Sequence, residues 1–324
     1  MDDTSNESPP PRGLVIAAFA AVYVIWGSTY LGIRIAIETM PPFLMAGSRF
    51  LIAGAILYTC LRLKRVPAPG RTHWLNAAVV GGLLLAGGNG GVTWAEQAVP
   101  SSLAALMIAM VPLWIALLDW VRPGGLRPVR QSVIGILIGF SGMLMLVGFP
   151  FSLSDRAIDP VGALVLMGAC LSWSLGSLYA RYTPKPASAL MGIAQQMIMG
   201  GGLLILAAWI SGEPSRLDWA RLSSRSLLAY LYLIGFGSLI GFTAYSWLLK
   251  ASTPARVSTY AYVNPVIAVF LGWAIAGEEL SWNTLRAAAV ILLGVIIITT
   301  PKAIAARSLM TSKSVQARVP EGGG

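Results

Sequence analysis

The sequence predicts an all-α integral membrane protein with ten transmembrane helices, arranged as a 5+5 inverted-topology repeat around a central cavity. Three observations predict it. The 324 residues are 56% hydrophobic and 11% charged, with mean hydropathy +0.71, whereas a soluble domain of this length carries about 25% charged residues. Apolar windows of membrane-spanning length lie near 13–35, 41–62, 73–98, 100–120, 130–149, 159–181, 186–211, 225–249, 253–276 and 281–300. The third observation is that the two halves of the chain align. A shift of 147 pairs Trp26 with Trp173, Arg34 with Arg181 and Gly54 with Gly201, and a shift of 153 pairs Gly88 with Gly241, Trp94 with Trp247, Pro112 with Pro265 and Trp120 with Trp273. Three paired tryptophans out of 11 are improbable by chance. Five helices per half is an odd number, so the second copy must enter the membrane upside down, which gives alternating access a structural basis.

The chain then divides into a polar, proline-rich tail at 1–12, a first repeat at 13–149, a second at 159–300 and a tail at 301–324. The opening MDDTSNESPPP lacks the basic stretch of a secretory signal. Connections are too short for a soluble domain. Lys and Arg are retained on the cytoplasmic side. With the N-terminus inside, that side receives sixteen of them: Arg12, Arg62, Lys64, Arg65, Arg71, Arg122, Arg127, Arg130, Arg181, Lys185, Lys250, Arg256, Lys302, Arg307, Lys313 and Arg318. The other side receives Arg156, Arg216, Arg221 and Arg225. A multi-pass protein of the cell membrane with both termini cytoplasmic is expected. The net charge of +10 is scattered over loops rather than gathered into one stripe, so no nucleic-acid partner is expected. Cys60 and Cys170 stand alone in apolar segments and read as packing residues, with no metal site and no cofactor.

In the first window Tyr23, Trp26, Gly27, Tyr30 and Arg34 follow helical spacing and share one face. The sixth repeats it with Cys170, Trp173, Ser174, Ser177 and Arg181. Polar groups at membrane depth are costly unless paired or facing a cavity, so the stripes predict two walls of a passage. An interfacial aromatic belt is the alternative and suits Tyr30, but Trp26 lies about 20 Å along the helix from residue 13. The third window places Asn89 and Thr93 on one face, with small-residue pairs Gly87/Gly91 and, in the eighth, Gly237/Gly241. These glycines read best as close-packing positions. Tyr245 in the eighth window joins the candidate cavity residues. The ninth reads STYAYVNPVIAVF, with Tyr260 and Asn264 ahead of Pro265; its twin places Met107 and Val111 ahead of Pro112. Each proline removes a backbone donor, so both helices should bend or open there, as hinges beside a midplane site.

Arg49 in the second window binds a substrate carboxylate or holds neighbouring carbonyls; its counterpart in the other half, Gln196, carries no charge. Arg34, Glu96, Asp119 and Arg286 fall near helix ends and read as anchors or gate ion pairs. Every Asp and Glu lies in a tail, a loop or near a helix end, and the lone His73 sits at a boundary, so facilitated transport or exchange is expected, with proton coupling through Glu96 the weaker alternative. The absence of GxxxxGK[ST] argues against direct drive by ATP. One histidine and no acidic or thiol cluster argue against an enzyme.

The segments AAVYVIWGSTYLGIRIAIETMPPFLMAGSRFLIAGAIL, AEQAVPSSLAALMIAMVPLWIALL and AYVNPVIAVFLGWAIAGEELS resemble the EamA-type branch of the drug/metabolite transporter superfamily, in particular its YedA-type exporters. The resemblance implies a ten-helix carrier in which helices 1, 3, 4, 6, 8 and 9 surround the cavity. It also implies export of amino acids or other small metabolites. A single intramembrane cation favours small neutral or zwitterionic substrates over phosphorylated sugars or nucleotide sugars; a proton-coupled drug exporter is the other alternative. Small-molecule substrate and lipid are thus the expected partners, with monomer and homodimer both open.

Overall fold

A computed structural model describes residues 11–122, 129–147 and 159–299. All regular structure among them is helical. Among the described residues nine helices are long and apolar enough to cross a membrane: α1 (Arg12–Ala36), α2 (Pro42–Leu63), α3 (Arg71–Ala95), α4 (Ser101–Val121), α5 (Arg130–Val147), α6 (Pro160–Tyr182), α7 (Ala189–Ile210), α8 (Ser224–Ala251) and α10 (Trp282–Thr299). The tenth apolar helix, α9 (Tyr260–Ala276), has 17 residues. Lipid supplies no hydrogen bonds, so each apolar segment must satisfy its own backbone, and a helix does so. Prolines with fixed φ open several of them, at Pro42 and Pro160. Gly277, at φ 66°, ends α9 in the left-handed conformation that a residue without Cβ adopts freely.

Consecutive helices run antiparallel. The ends of α1, α3, α7 and α9 gather with the starts of α2, α4 and α8 at what we call the far rim: Ser226 Oγ donates to Ile35 O (2.8 Å) and Leu44 N donates to Glu213 Oε2 (2.7 Å). At the near rim, Arg122 Nη2 donates to Tyr182 Oη (2.6 Å), joining the ends of α4 and α6.

Neighbouring pairs α8·α1, α1·α9, α9·α4, α4·α6 and α6·α3 form an arc, closed by the tightly crossed pair α2·α7 between α3 and α8. The pair α5·α10 packs outside, against α4 and α9. Exchanging α1–α5 for α6–α10 maps these neighbours onto one another. The crossings rest on backbone contact. A Cβ at Gly47 would lie 2.9 Å from Ile205 N, one at Gly201 would lie 2.8 Å from Leu51 N, and one at Gly294 would lie 2.6 Å from Gly139 N.

Two helices widen into π-helical segments of eight residues, Gly82–Asn89 in α3 and Leu233–Ile240 in α8. A π-segment disturbs the regular carbonyl ladder, and partners from neighbouring helices enter there. Ser172 Oγ of α6 donates to Leu83 O (2.7 Å), and Trp26 Nε1 of α1 donates to Gly237 O (3.2 Å). The same tryptophan presses on Gly241, where a Cβ would come within 2.5 Å of its Nε1; Trp173 presses on Gly88, where a Cβ would come within 2.7 Å of its Cε3. A Cβ at Gly91 would meet Ala169 Cβ at 3.0 Å and one at Gly237 would meet Thr29 Cγ2 at 3.2 Å, and Ser172 packs on Gly87, so these paired glycines too are close-packing positions, as their spacing predicts.

Three expectations are corrected. The 253–276 window is not one helix: Pro254–Val257 forms a separate turn, and Ser258 and Thr259 separate it from α9. α9 runs unbroken through Pro265, which sits in its second turn, where a single carbonyl loses its donor. Only α4 breaks beside its proline, at Ala109 and Met110, with Pro112 opening the second half. Cys60 is exposed in the last turn of α2 rather than packed, while Cys170 is buried and its Sγ donates to Met107 O (3.3 Å). Residues 1–10 of the expected N-terminal tail, the expected C-terminal tail and the loop arginines Arg127 and Arg156 lie outside the described residues, while Arg12, expected in the tail, opens α1.

Gly294→Leu must displace backbone of α5, and we expect it to cost about 1–3 kcal/mol, read as a lower thermal midpoint of the detergent-solubilised protein. Gly202→Ala, where nothing lies within 4 Å, leaves the midpoint unchanged or raises it.

Candidate substrate-binding site

The polar stripe of α1 meets α8 and α9 at Trp26. Its ring centroid lies 5.2 Å from Phe242, 5.1 Å from Tyr245 and 5.4 Å from Tyr260, and Tyr245 and Tyr260 are 5.7 Å apart at 89°. Edge-to-face contacts of this kind fix ring orientation as well as burying area. All four side chains are half-buried. Tyr23, one turn nearer the near rim, shares a short hydrogen bond with Thr259. One turn into α9, Asn264 is buried and its Oδ1 has no partner. Close approach of α1 and α9 passes through Gly27, where a Cβ would meet the Asn264 carbonyl at 3.1 Å.

A second polar group lies toward the far rim. Arg49 of α2 is 4% exposed, donates through Nη2 to Asn89 Oδ1 of α3 (3.1 Å) and lies 4.2 Å from the centroid of the Phe50 ring. Its Nε and Nη1 have no partner. Thr93 is fully buried and donates to Asn89 O (2.9 Å). Two turns beyond Asn89, Glu96 is fully buried with both oxygens unpartnered, while Arg34 donates to its backbone carbonyl. The acids stand in loops or near helix ends, as the sequence predicts, but such a place does not leave Glu96, Asp119 or Glu213 exposed. All three are buried, because the helix ends that carry them lie under neighbouring helices.

The stripe of α6 lies against α3 and α4. Trp173 packs on Gly88, Ser174 Oγ donates to Cys170 O (2.7 Å), and Ser177 Oγ donates to Trp173 O (2.8 Å). Met107 is fully buried in the cluster around Leu113 and Leu166, which Tyr30 covers from α1. Tyr23, Trp26, Tyr245 and Tyr260 thus form one group and Arg49, Asn89 and Thr93 a second, while Trp173 packs on α3 and Ser177 bonds within α6. Sequence reasoning missed Phe242, legible as the aromatic three residues before Tyr245. It also missed Gln195, fully buried in α7 with an unpartnered amide.

Two acids close the far rim. Glu278 accepts from Ser101 N (2.8 Å), Ser101 Oγ (2.7 Å) and Ser102 N (2.9 Å). Glu213 accepts from Phe43 N (3.2 Å) and Leu44 N (2.7 Å). Each carboxylate satisfies orphan amides at a helix start and complements its dipole.

Antiparallel apolar helices of membrane-spanning length define a polytopic membrane protein. The chain belongs to the EamA-like transporter family, whose model matches residues 13–148 and again 160–300. It is 41% identical over 289 residues to the uncharacterized inner membrane transporter YedA of Escherichia coli K12, covering 89% of this chain and 91% of that one. It is 24% identical to a protein of Salmonella typhimurium named a probable amino-acid metabolite efflux pump, over 85% of this chain and 91% of the relative. A solved structure described only as a protein crystal structure matches with TM-score 0.60 at 23% identity, covering 92% of this chain and 99% of that one; this likeness concerns the fold.

Glu278→Ala leaves two buried amides at the start of α4 without acceptors, at a cost of about 1–3 kcal/mol, and should lower the thermal midpoint. Glu38→Ala removes only the exposed 3.8 Å pair with Arg225 and should cost less than about 1 kcal/mol.

Proposed function

We propose that this chain is a secondary transporter that exports small neutral or zwitterionic metabolites, such as amino acids, by alternating access. The observation that carries the reading is the Trp26, Phe242, Tyr245 and Tyr260 cluster beside the unpartnered Asn264 oxygen. Aromatic faces with one free amide suit a small, mostly uncharged solute. Arg49 is the only buried cation among the described residues. A phosphorylated substrate calls for several, so an exchanger of sugar phosphates or nucleotide sugars fits less well. The efflux-pump name of the Salmonella relative supports the amino-acid class.

The 5+5 inverted repeat belongs to this proposal. It is supported by the two successive matches to one family model, by the self-mapping neighbour pattern and by the crosswise seating of Trp26 on Gly241 and Trp173 on Gly88. With helices alternating in direction and five per half, like elements of the two halves run oppositely, and exchanging their conformations turns the passage from one side to the other. The distribution of Lys and Arg supports the near rim and both termini being cytoplasmic, in the cell membrane. Substrate and lipid are the partners this reading needs.

Counterflow of radiolabelled neutral amino acids into proteoliposomes tests it. Wild type is expected to exchange at least one of them, and Trp26→Ala and Asn264→Ala to abolish the exchange while still inserting. Unimpaired exchange in both variants overturns the site.

A further inference from the structure

Arg49 is a cation at membrane depth without a counter-ion. The residue is 4% exposed, and neither Nε nor Nη1 has a hydrogen-bond partner. Nη2 alone is engaged, with the neutral Asn89 Oδ1 at 3.1 Å. The titratable groups that act on its charge are Tyr230 of α8 and Glu96 at the end of α3, and neither pairs with it. Tyr230 Oη donates to Ser48 Oγ (2.9 Å). Glu96 stands seven residues beyond Asn89, about 10 Å along α3, with both carboxyl oxygens unpartnered. An enclosed charge without a partner is destabilising, and a ligand that supplies the partner gains what the folded chain forgoes. The matching residue of the other half is Gln196, so that half is built without a cation at this position.

The contacts that Arg49 does make hold its guanidinium ready for an anion. Its Cζ lies 4.2 Å from the Phe50 ring centroid, and Asn89 fixes one edge. A guanidinium has two forks, Nη1 with Nη2 and Nη2 with Nε, and each uses one of the two Nη2 hydrogens. Whichever hydrogen Asn89 takes, the other fork stays whole, and a carboxylate fills such a fork with two parallel hydrogen bonds. An apolar remainder of the solute also has a place. Phe50 belongs to a buried cluster on which Phe242 packs, and Phe242 lies 5.2 Å from Trp26, so apolar surface continues from Arg49 to the aromatic group.

We infer that Arg49 is the specificity-determining residue of the transport site: its guanidinium takes the carboxylate of the solute in a charge-assisted fork, and a solute of the same shape without a carboxylate is rejected. Both free nitrogens are shut off from water in this conformation, so loading parts α2 from α3 beside Asn89, the last residue of the π-helical segment. The inference rests on the transporter reading and narrows its solutes to those that bear a carboxylate.

Full-length protein is tested in two arms. In detergent, the probes are acetate, butyrate and 3-phenylpropionate, each against its primary amide. At least one carboxylate is expected to raise the thermal midpoint of wild type where its amide does not. Arg49→Gln is expected to lose that preference, Arg49→Lys to keep a weaker one, because an ammonium has no fork, and Arg225→Gln, at an exposed position, to keep it whole. No carboxylate outdoing its amide in wild type overturns the inference without recourse to any variant, and so does an equal preference in Arg49→Gln. In proteoliposomes, counterflow of radiolabelled neutral amino acids is competed with unlabelled amino acids or their primary amides. Arg49→Gln is expected to raise the half-saturating concentration of the amino acid about 10- to 100-fold while leaving that of the amide within about threefold. Amide and amino acid competing equally in wild type overturns the inference. Absence of wild-type counterflow, with the carboxylate preference and its dependence on Arg49 present in detergent, overturns the amino-acid reading and leaves the carboxylate site supported.

Discussion

Each half of the chain seats one tryptophan on a glycine of the other half's π-helical region, Trp26 on Gly241 and Trp173 on Gly88. An indole fits there only where the helix opposite offers no side chain. The wider helices α3 and α8 supply that room, and their disturbed carbonyl ladders take donors from Trp26 and Ser172. Other features follow from this interlock. It brings α1 against α8 and α6 against α3, which leaves α2 and α7 to close the arc through backbone contact at Gly47 and Gly201. It also turns the tyrosines of α8 and α9 toward Trp26 instead of toward lipid.

Polar chemistry is distributed unevenly over this frame. The far rim is held by carboxylates from the later half acting on helix starts of the earlier half, Glu278 on α4 and Glu213 on α2. Gly277 makes the first possible by turning the chain back directly after α9, and the small Gly272 leaves space for the carboxylate, since a Cβ there would lie 2.5 Å from Glu278 Oε2. Deeper groups are less completely matched. Arg49 has two unpartnered nitrogens, Glu96 two unpartnered oxygens and Asn264 one. Such groups cost free energy in a membrane protein, and they lie on α2, at the end of α3 and on α9. A carrier that must release its substrate again has reason to leave interior groups incompletely bonded.

Much of this was legible in the sequence because it depends on pattern. The paired tryptophans and glycines announced the duplication, and the structure seats members of one pair on members of the other. The one-face stripe of α1 predicts a wall facing α6, whereas in the structure Trp26 lies against Tyr245 of α8 and Tyr260 of α9. What was illegible depends on position within the bundle. Glu96 and Asp119 look peripheral in the sequence because they stand near helix ends, yet those ends lie under other helices. Pro265 looks like a break, but its cost depends on its place in the helix, which is set by the turn at Ser258 and Thr259. Glu278 meets Ser101 across 177 residues, a distance no local pattern spans.

The central claim is that two interlocked halves rock about the tryptophan seats so that the rims open alternately. Pulsed electron–electron distance measurement between spin labels tests it most directly. One pair stands at Thr72 and Lys250 on the near rim and another at Gln97 and Ala276 on the far rim, all exposed positions. Measured in lipid with and without saturating neutral amino acids, the two distances are predicted to change in opposite senses. Distances that widen together, or that stay fixed while transport proceeds, would contradict the account.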